Sequence, residues 1–290
     1  MSLGRINTNI AALKAYYNLT MTTDELAAHQ QKLTTGHRVT LASDDPAAFV
    51  MSKTMGTRVS NLATVQKSIG QAKDMLGVVE GGLNAIVDLL REMKDKALEA
   101  ADGSVGTTER RSIGNAIKAL GDSVDDIAQN TEWNNIKLLN GTYNNSSNIL
   151  TFRTGVGVAD FTTVDFSTFG GLENAGDFTL SSLGLATVAN ADLTTIDNAS
   201  TLIAAVNNAI SYVNAAITEI GAESKGLGAR LGALAVEQTN TESALSRIRD
   251  ADTLFEAMET SKLQIRSQAT IAMLAQANTL PQMVLQLLGR

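Results

Sequence analysis

Leu62-Ala63-Thr64-Val65-Gln66-Lys67-Ser68-Ile69-Gly70-Gln71-Ala72 opens the stretch that decides the fold, and its pattern continues through Leu76, Val79, Leu83, Ile86, Leu90, Met93, Ala97 and Ala100. The step alternates between three and four residues without one charged interruption. That repeat keeps a single apolar seam turned toward a partner helix, as in a coiled coil. A second seam runs from Ile203 through Val206, Ile210, Val213, Ile217, Ile220, Ser224, Leu227, Leu231, Leu234, Gln238, Thr241, Leu245, Ile248 and Asp252 to Phe255. Between the two, Ile113, Ile117, Leu120, Val124 and Ile127 mark a shorter helix, entered from the loop at 103–108 and closed before Trp133. Three rods can share these seams, and at about 1.5 Å per residue the outer two extend roughly 60–80 Å. The predicted fold is mainly α: long antiparallel helical hairpins in a coiled-coil bundle, in an elongated body, with a small β-hairpin element in the middle of the chain.

Outward from the seams, helix punctuation is clear. In Ser43-Asp44-Asp45-Pro46, Asp45 is placed to cap exposed backbone N–H groups while Pro46 takes the first helical position, where its missing donor does no harm. Upstream, Ile6, Ile10, Leu13 and Tyr17 give one helical phase and Leu19, Leu26 and Leu33 a shifted one, ended by Gly36. Downstream, Phe255, Met258, Ile265, Ala269, Ala272, Leu280, Val284, Leu287 and Leu288 form a matching helix interrupted only by Pro281. The apolar side chains of these ends are too few to offset the entropy of ordering them alone. Both ends are therefore expected to be disordered in the monomer and to pair with each other and with neighbouring copies on assembly.

The middle has another texture. Residues 141–201 are rich in Ser, Thr, Asn and Gly, hold five of the seven Phe, and alternate in Leu150-Thr151-Phe152-Arg153 and Asp160-Phe161-Thr162-Thr163-Val164-Asp165-Phe166. These read as strands and turns. One basic residue, Arg153, against six acids marks the stretch as solvent-facing.

Composition removes several functions. The chain has 290 residues, 23 Lys and Arg against 30 Asp and Glu, and a net charge of −7, which leaves no basic footprint for nucleic acid. Without cysteine there are no disulfides, thiolate nucleophiles or cysteine zinc sites. No apolar run approaches a membrane span, and Met1 to Leu19 lacks the apolar core of a cleaved secretory signal. His29 and His37 have no clustered ligands; Asp44-Asp45 and Asp125-Asp126 have no base or nucleophile beside them; Gly155-Val156-Gly157 and Gly226-Leu227-Gly228 lack the context of a phosphate loop. No catalytic residue, metal site or cofactor follows. The N-glycosylation pattern occurs at Asn140, Asn144, Asn145 and Asn198.

Two signatures then carry a resemblance. Ile6-Asn7-Thr8-Asn9-Ile10, Leu33-Thr34-Thr35-Gly36-His37-Arg38-Val39 and Ala42-Ser43-Asp44-Asp45 resemble the amino-terminal signature of bacterial flagellins. Glu242-Ser243, Ile248-Arg249-Asp250-Ala251-Asp252, Leu274-Ala275-Gln276-Ala277-Asn278, Pro281-Gln282 and Leu285-Gln286-Leu287-Leu288 resemble the carboxy-terminal one. The likeness covers residues 3–140 and 200–290; His37 and Pro46 depart from the usual pattern. It implies a structural subunit, not an enzyme, of the extracellular bacterial flagellar filament, a self-assembling helical polymer that propels swimming. It implies a terminal-helix domain (1–42 with 253–290) lining the filament core, a helical-bundle domain (43–140 with 200–252), a variable surface-exposed segment (141–199) and no large outer domain.

The resemblance also implies export by the flagellar type III route without a cleaved signal, an export chaperone on the carboxy-terminal segment, and filament cap and hook-associated partners; neither nucleic acid nor membrane is a partner. Polymerisation is assigned to Ile6, Asn7, Ile10, Leu13, Tyr17, Leu26, Leu33, Met258, Ile265, Ala272, Val284 and Leu288, and stiffness to the seam residues Leu62, Ile69, Leu76, Leu83, Leu90, Ile210, Ile217, Leu231 and Leu245. Glu92, Lys96 and Ala116 stand where many flagellins carry an Arg, a Leu and a Glu read by an innate immune receptor, which implies weak activation. The alternatives are a hook–filament junction protein and a secreted monomeric coiled-coil binding module.

Overall fold

The computed structural model describes residues 9–142, 150–164, 176–186 and 194–288, with side chains as far as 279. Among these, helices α1 (Ile10–Thr35), α2 (Pro46–Ala101) and α3 (Thr107–Asn130) are followed by short strands β1 (Glu132–Trp133), β2 (Ile136–Lys137), β3 (Leu150–Arg153) and β4 (Phe161–Val164). Two more helices, α4 (Ile196–Arg249) and α5 (Thr253–Leu288), complete the order. The chain divides into two compact units, Met1–Val59 with Thr239–Arg290 and Ser60–Gln238. The first turns of α2 and the last of α4 therefore belong with the terminal helices.

In the unit Ser60–Gln238 all of the first seam is in the core: Leu62, Val65, Ile69, Ala72, Leu76, Val79, Leu83, Ile86, Leu90, Met93, Ala97 and Ala100 are each 3% exposed or less. The Gln66 amide donates to Gln238 Oε1 at 2.8 Å, and the space a Cβ would take at Gly228 lies 3.6 Å from Lys73 Nζ, so α2 and α4 run antiparallel. α3 returns along α2. Arg110, buried at the turn, donates through Nε to the Ala100 carbonyl at 2.8 Å and through Nη2 to the Asp102 carbonyl at 2.7 Å. These bonds satisfy acceptors that the end of α2 leaves without intrahelical partners.

The second seam is placed differently from its heptad reading. Leu202, Val206, Ala209, Val213, Ala216, Ile220 and Leu227 form the buried face, and Ile210, Ile217 and Leu231 pack against its flank half-buried. The buried face thus runs about one residue off the predicted one, taking in Ala209 and Ala216 with Val206, Val213 and Ile220. The seam also stops short of Asp252 and Phe255: α4 ends at Arg249, and the Asp252 carboxylate accepts from the Leu254 and Phe255 N–H groups at 3.0 and 3.2 Å, capping α5.

β1 and β2 form a hairpin with Trp133 opposite Ile136, turning through Asn134 and Asn135 at φ 50° and 63°. Two consecutive positive φ values make the turn whose twist matches the strands, and Asn tolerates them. β3 and β4 pair antiparallel, Leu150 opposite Val164 and Arg153 opposite Phe161, over the runs read as strands. The expected solvent-facing segment needs correction at 176–186: Phe178, Leu180, Leu183 and Leu185 are buried in the bundle core. Phe178 stacks on Tyr212 with centroids 5.4 Å apart, and the Tyr212 hydroxyl accepts from the Gly176 N–H at 3.3 Å. Asp125, one of the paired carboxylates, accepts from the Leu180 N–H at 2.6 Å and so pins this segment to α3.

Candidate functional site

The unit that holds both terminal helices builds its candidate site from one helix pair. α1 starts at the Asn9 cap, whose Oδ1 accepts from the Ala12 N–H while its Nδ2 donates to the Ala277 carbonyl at 2.7 Å. Near the other end, His29 Nδ1 stands 2.5 Å from Glu256 Oε2. The start of α1 therefore meets the end of α5, and the pair is antiparallel. α1 ends at Gly36, whose φ of 69° needs a residue without a Cβ.

Beyond that cap the two connectors cross. The Arg38 N–H donates to the Arg249 carbonyl at 2.6 Å, the Ala251 N–H to the Gly36 carbonyl at 2.9 Å, and Arg38 Nη2 to the Ile248 carbonyl at 3.0 Å. His37 bridges to Asp250, with Nδ1 3.5 Å from Oδ1. Burial pushes the Asp250 carboxyl up, but bonds from Ser246 and Arg249 outweigh it and hold the group below the usual range. Asp44 accepts from the Leu41 and Thr40 N–H groups at 3.0 Å each, which lowers its pKa. Asp45 caps α2 through the Ala48 N–H at 3.0 Å. Neither aspartate is arranged for acid–base chemistry.

The helix pair closes over a mixed face of small and leucine side chains. Ala15 and Thr22 on α1, and Thr260, Leu263, Thr270 and Ala277 on α5, are buried, with Leu19, Leu26 and Leu33 half-buried on the α1 face. Other large apolar residues point away. Ile10, Leu13, Tyr17 and Met21 recur on one stripe of α1, and Leu254, Met258, Ile265 and Ala272 on one stripe of α5, all exposed. At 100° per residue each stripe lies opposite the paired face. The two phases read in the sequence are thus two faces, one closed and one open, with Leu13 69% and Ile265 68% exposed. Large apolar side chains left exposed in a row on both helices mark this face as a candidate interaction surface.

The remaining assigned residues fall as follows. Ile6, Asn7, Asn144 and Asn145 lie outside the described residues, and Val284 and Leu288 are in α5 beyond its described side chains. Leu245 is buried in the unit of the terminal helices. Glu92 and Ala116 are exposed, and Lys96 pairs with Glu99 at 2.9 Å. Asn140 is half-buried with Oδ1 accepting from the Thr142 N–H and hydroxyl, and Asn198 is half-buried. Among the described residues no group of three metal-ligating side chains gathers, and no helix is long and apolar enough to cross a membrane. The sequence reading missed the Asn9–Ala277 and His29–Glu256 bonds, which join residues more than two hundred positions apart and leave no periodic signal.

Comparison with known proteins gives consistent matches. A family model described as the bacterial flagellin N-terminal helical region matches residues 6–144, and one described as the bacterial flagellin C-terminal helical region matches residues 203–288. A flagellin of Bacillus subtilis (strain 168) is 33% identical, covering 98% of this chain and 99% of its own length. A flagellar filament 30.7 kDa core protein of Treponema maltophilum is 28% identical over 98% of this chain and 99% of its own. Among solved structures, a candidate flagellar hook-associated protein from Vibrio parahaemolyticus aligns with a TM-score of 0.60 at 18% identity, covering 71% of this chain and 100% of that one. That likeness is one of fold.

Proposed function

The chain belongs to the bacterial flagellin family, and we propose on that premise that it is a structural subunit of the extracellular flagellar filament, polymerising through the outward faces of α1 and α5. The observation that supports this is the layout of the helix pair: Ala15, Thr22, Thr260, Leu263 and Thr270 close the pair with Leu19, Leu26 and Leu33 beside them, while Ile10, Leu13, Tyr17, Met258 and Ile265 are left exposed for other copies to bury. Many copies related by one helical operation supply such partners to every subunit. The filament-core element is residues 1–42 with 253–290, ordered fully when neighbours cover it; the connecting residues 43–59 and 239–252 group with it, residues 60–140 with 200–238 form the surrounding bundle, and the middle segment 141–199 lends its stretch 176–186 to the bundle core. The role is mechanical, not enzymatic.

Export by the flagellar secretion route, a chaperone that shields the apolar carboxy-terminal helix, and contact with cap and hook-associated proteins at the filament ends belong to the same proposal. The altered residues Glu92, Lys96 and Ala116 make weak activation of the animal innate receptor part of it, read in a reporter-cell assay. Negative-stain electron microscopy of the seeded chain beside a twin lacking residues 1–35 tests the assembly claim. Long uniform filaments are expected from the intact chain and none from the twin. An intact chain that stays monomeric under every seeding condition would favour the junction-protein or binding-module alternatives.

A further inference from the structure

The methionines are split by location. Met75 and Met93 are buried in the bundle at 3% and 0% exposure, whereas Met21 on α1, Met51 on α2, and Met258 and Met273 on α5 are 47%, 52%, 65% and 57% exposed. Met21 continues the open stripe of Ile10, Leu13 and Tyr17; Met258 lies on the stripe of Leu254 and Ile265, and Met273 is exposed on the flank of α5 between that stripe and the paired face. Two thioethers therefore sit on the face that has to become dry on assembly, and a third on its flank. Thioether sulfur is the most readily oxidised group in a chain without cysteine, and its reactivity follows access.

We infer that Met21, Met258 and Met273 form an oxidation-sensitive site, and that two-electron oxidants of the peroxide class convert the free subunit to an assembly-incompetent form while sparing the bundle. In the reaction the sulfur lone pair attacks one peroxide oxygen, the O–O bond breaks, a sulfur–oxygen bond forms and water leaves, so methionine is oxidised to the sulfoxide and peroxide is reduced. The product is polar and bulkier, and it carries a strong acceptor into an interface lined by apolar side chains. Desolvating that acceptor without a donor opposes burial of the stripe. Incorporation into a polymer covers the same sulfurs, so the assembled state protects itself and the vulnerable interval is the one before assembly. Because sulfoxides are reducible, methionine sulfoxide reductase restores the subunit.

This inference rests on assembly through the terminal helices, and the test separates the two. Purified full-length chain is treated with hydrogen peroxide, added oxygen is mapped by peptide mass spectrometry, helicity is read by far-UV circular dichroism, and the critical concentration for seeded growth is measured by sedimentation. Expected are oxygen at Met21, Met51, Met258 and Met273 before Met75 and Met93, unchanged helicity of the bundle, and a critical concentration raised at least about tenfold. Reductase treatment returns it to the starting value, and peroxide leaves the critical concentration of the triple variant M21L/M258L/M273L at that variant's own untreated value. The triple variant, which keeps Met51, separates its effect from that of the terminal helices. Leu conserves volume and cannot be oxidised, and the sites are exposed, so the variant folds. Treated chain that grows as well as untreated chain, or a triple variant as sensitive as the parent, overturns the inference while assembly stands. Failure of the untreated chain to grow overturns the assembly reading itself.

Discussion

Replacing Gly82 by Ala, beside the same change at Gly81, separates helix propensity from tertiary packing on one turn of α2. Alanine is favoured over glycine in a helix interior by about 1 kcal/mol. At Gly81 a new Cβ meets nothing within 4 Å, so G81A is expected to stabilise the bundle by about 0.5–1 kcal/mol. At Gly82 it would stand 2.8 Å from Thr131 Oγ1 and 2.9 Å from Leu139 Cδ1. Neither neighbour yields easily. The Thr131 hydroxyl donates to the Ile127 carbonyl at 2.7 Å at the end of α3, and Leu139 is fully buried. Overpacking costs about 1–3 kcal/mol, and swinging the hydroxyl off its carbonyl adds about 1 kcal/mol. Against the propensity gain, G82A is expected to lose about 1–3 kcal/mol, which places the two variants about 2–4 kcal/mol apart. Urea unfolding with an unchanged slope reads the difference directly. Equal stabilisation by both changes would refute the packing of the segment 131–139 against α2.

Three further outcomes are expected. Phe178→Ala empties a fully buried site and loses the stack on Tyr212, which lowers bundle stability by about 3–5 kcal/mol in denaturant unfolding; a loss below about 1 kcal/mol would show that the segment is not part of the core. Asp44 has its folded pKa lowered by the Leu41 and Thr40 N–H groups, so it stabilises the connector above the unfolded carboxylate value of about 3.9, and that contribution disappears as pH falls through the lowered folded value. Amide protection at residues 40–44, taken relative to intrinsic exchange at each pH, should fall across that acid window in the parent and stay flat in D44N. Ile265→Asp places a charge on the open stripe of α5, where the side chain is 68% exposed, so helicity should be unchanged while the critical concentration rises at least about tenfold; filaments forming at the parental concentration would remove Ile265 from the assembly face.

The sequence by itself determined the long helices, the end of α1, the start of α2 and the β3–β4 strands, because each is written in neighbours three, four or two residues apart; the break at Asp252 between α4 and α5 was not among them. The first seam went from pattern to core without a change, since a repeat held over many turns admits one buried face. Asp45 with Pro46, and Gly36, marked helix ends through local backbone chemistry that no distant contact has to supply. The two phases of α1 were also legible, Ile10, Leu13 and Tyr17 against Leu19, Leu26 and Leu33.

What only the tertiary structure decided was which phase closes and which stays open. Hydrophobicity alone assigns the larger side chains to the interior, yet Ala15, Thr22, Thr260 and Thr270 are buried and Leu13 and Ile265 are not. Leucines stand in both phases, Leu19, Leu26 and Leu33 toward the pair and Leu13 away from it, so size does not choose between them; the approach of α5 does. The burial of Phe178 against Tyr212 likewise depends on an element distant in sequence. Periodicity reports that a face will be buried; the distance to the neighbouring element decides which side chains fit there, and that distance is a property of the assembled tertiary structure, not of any stretch of sequence.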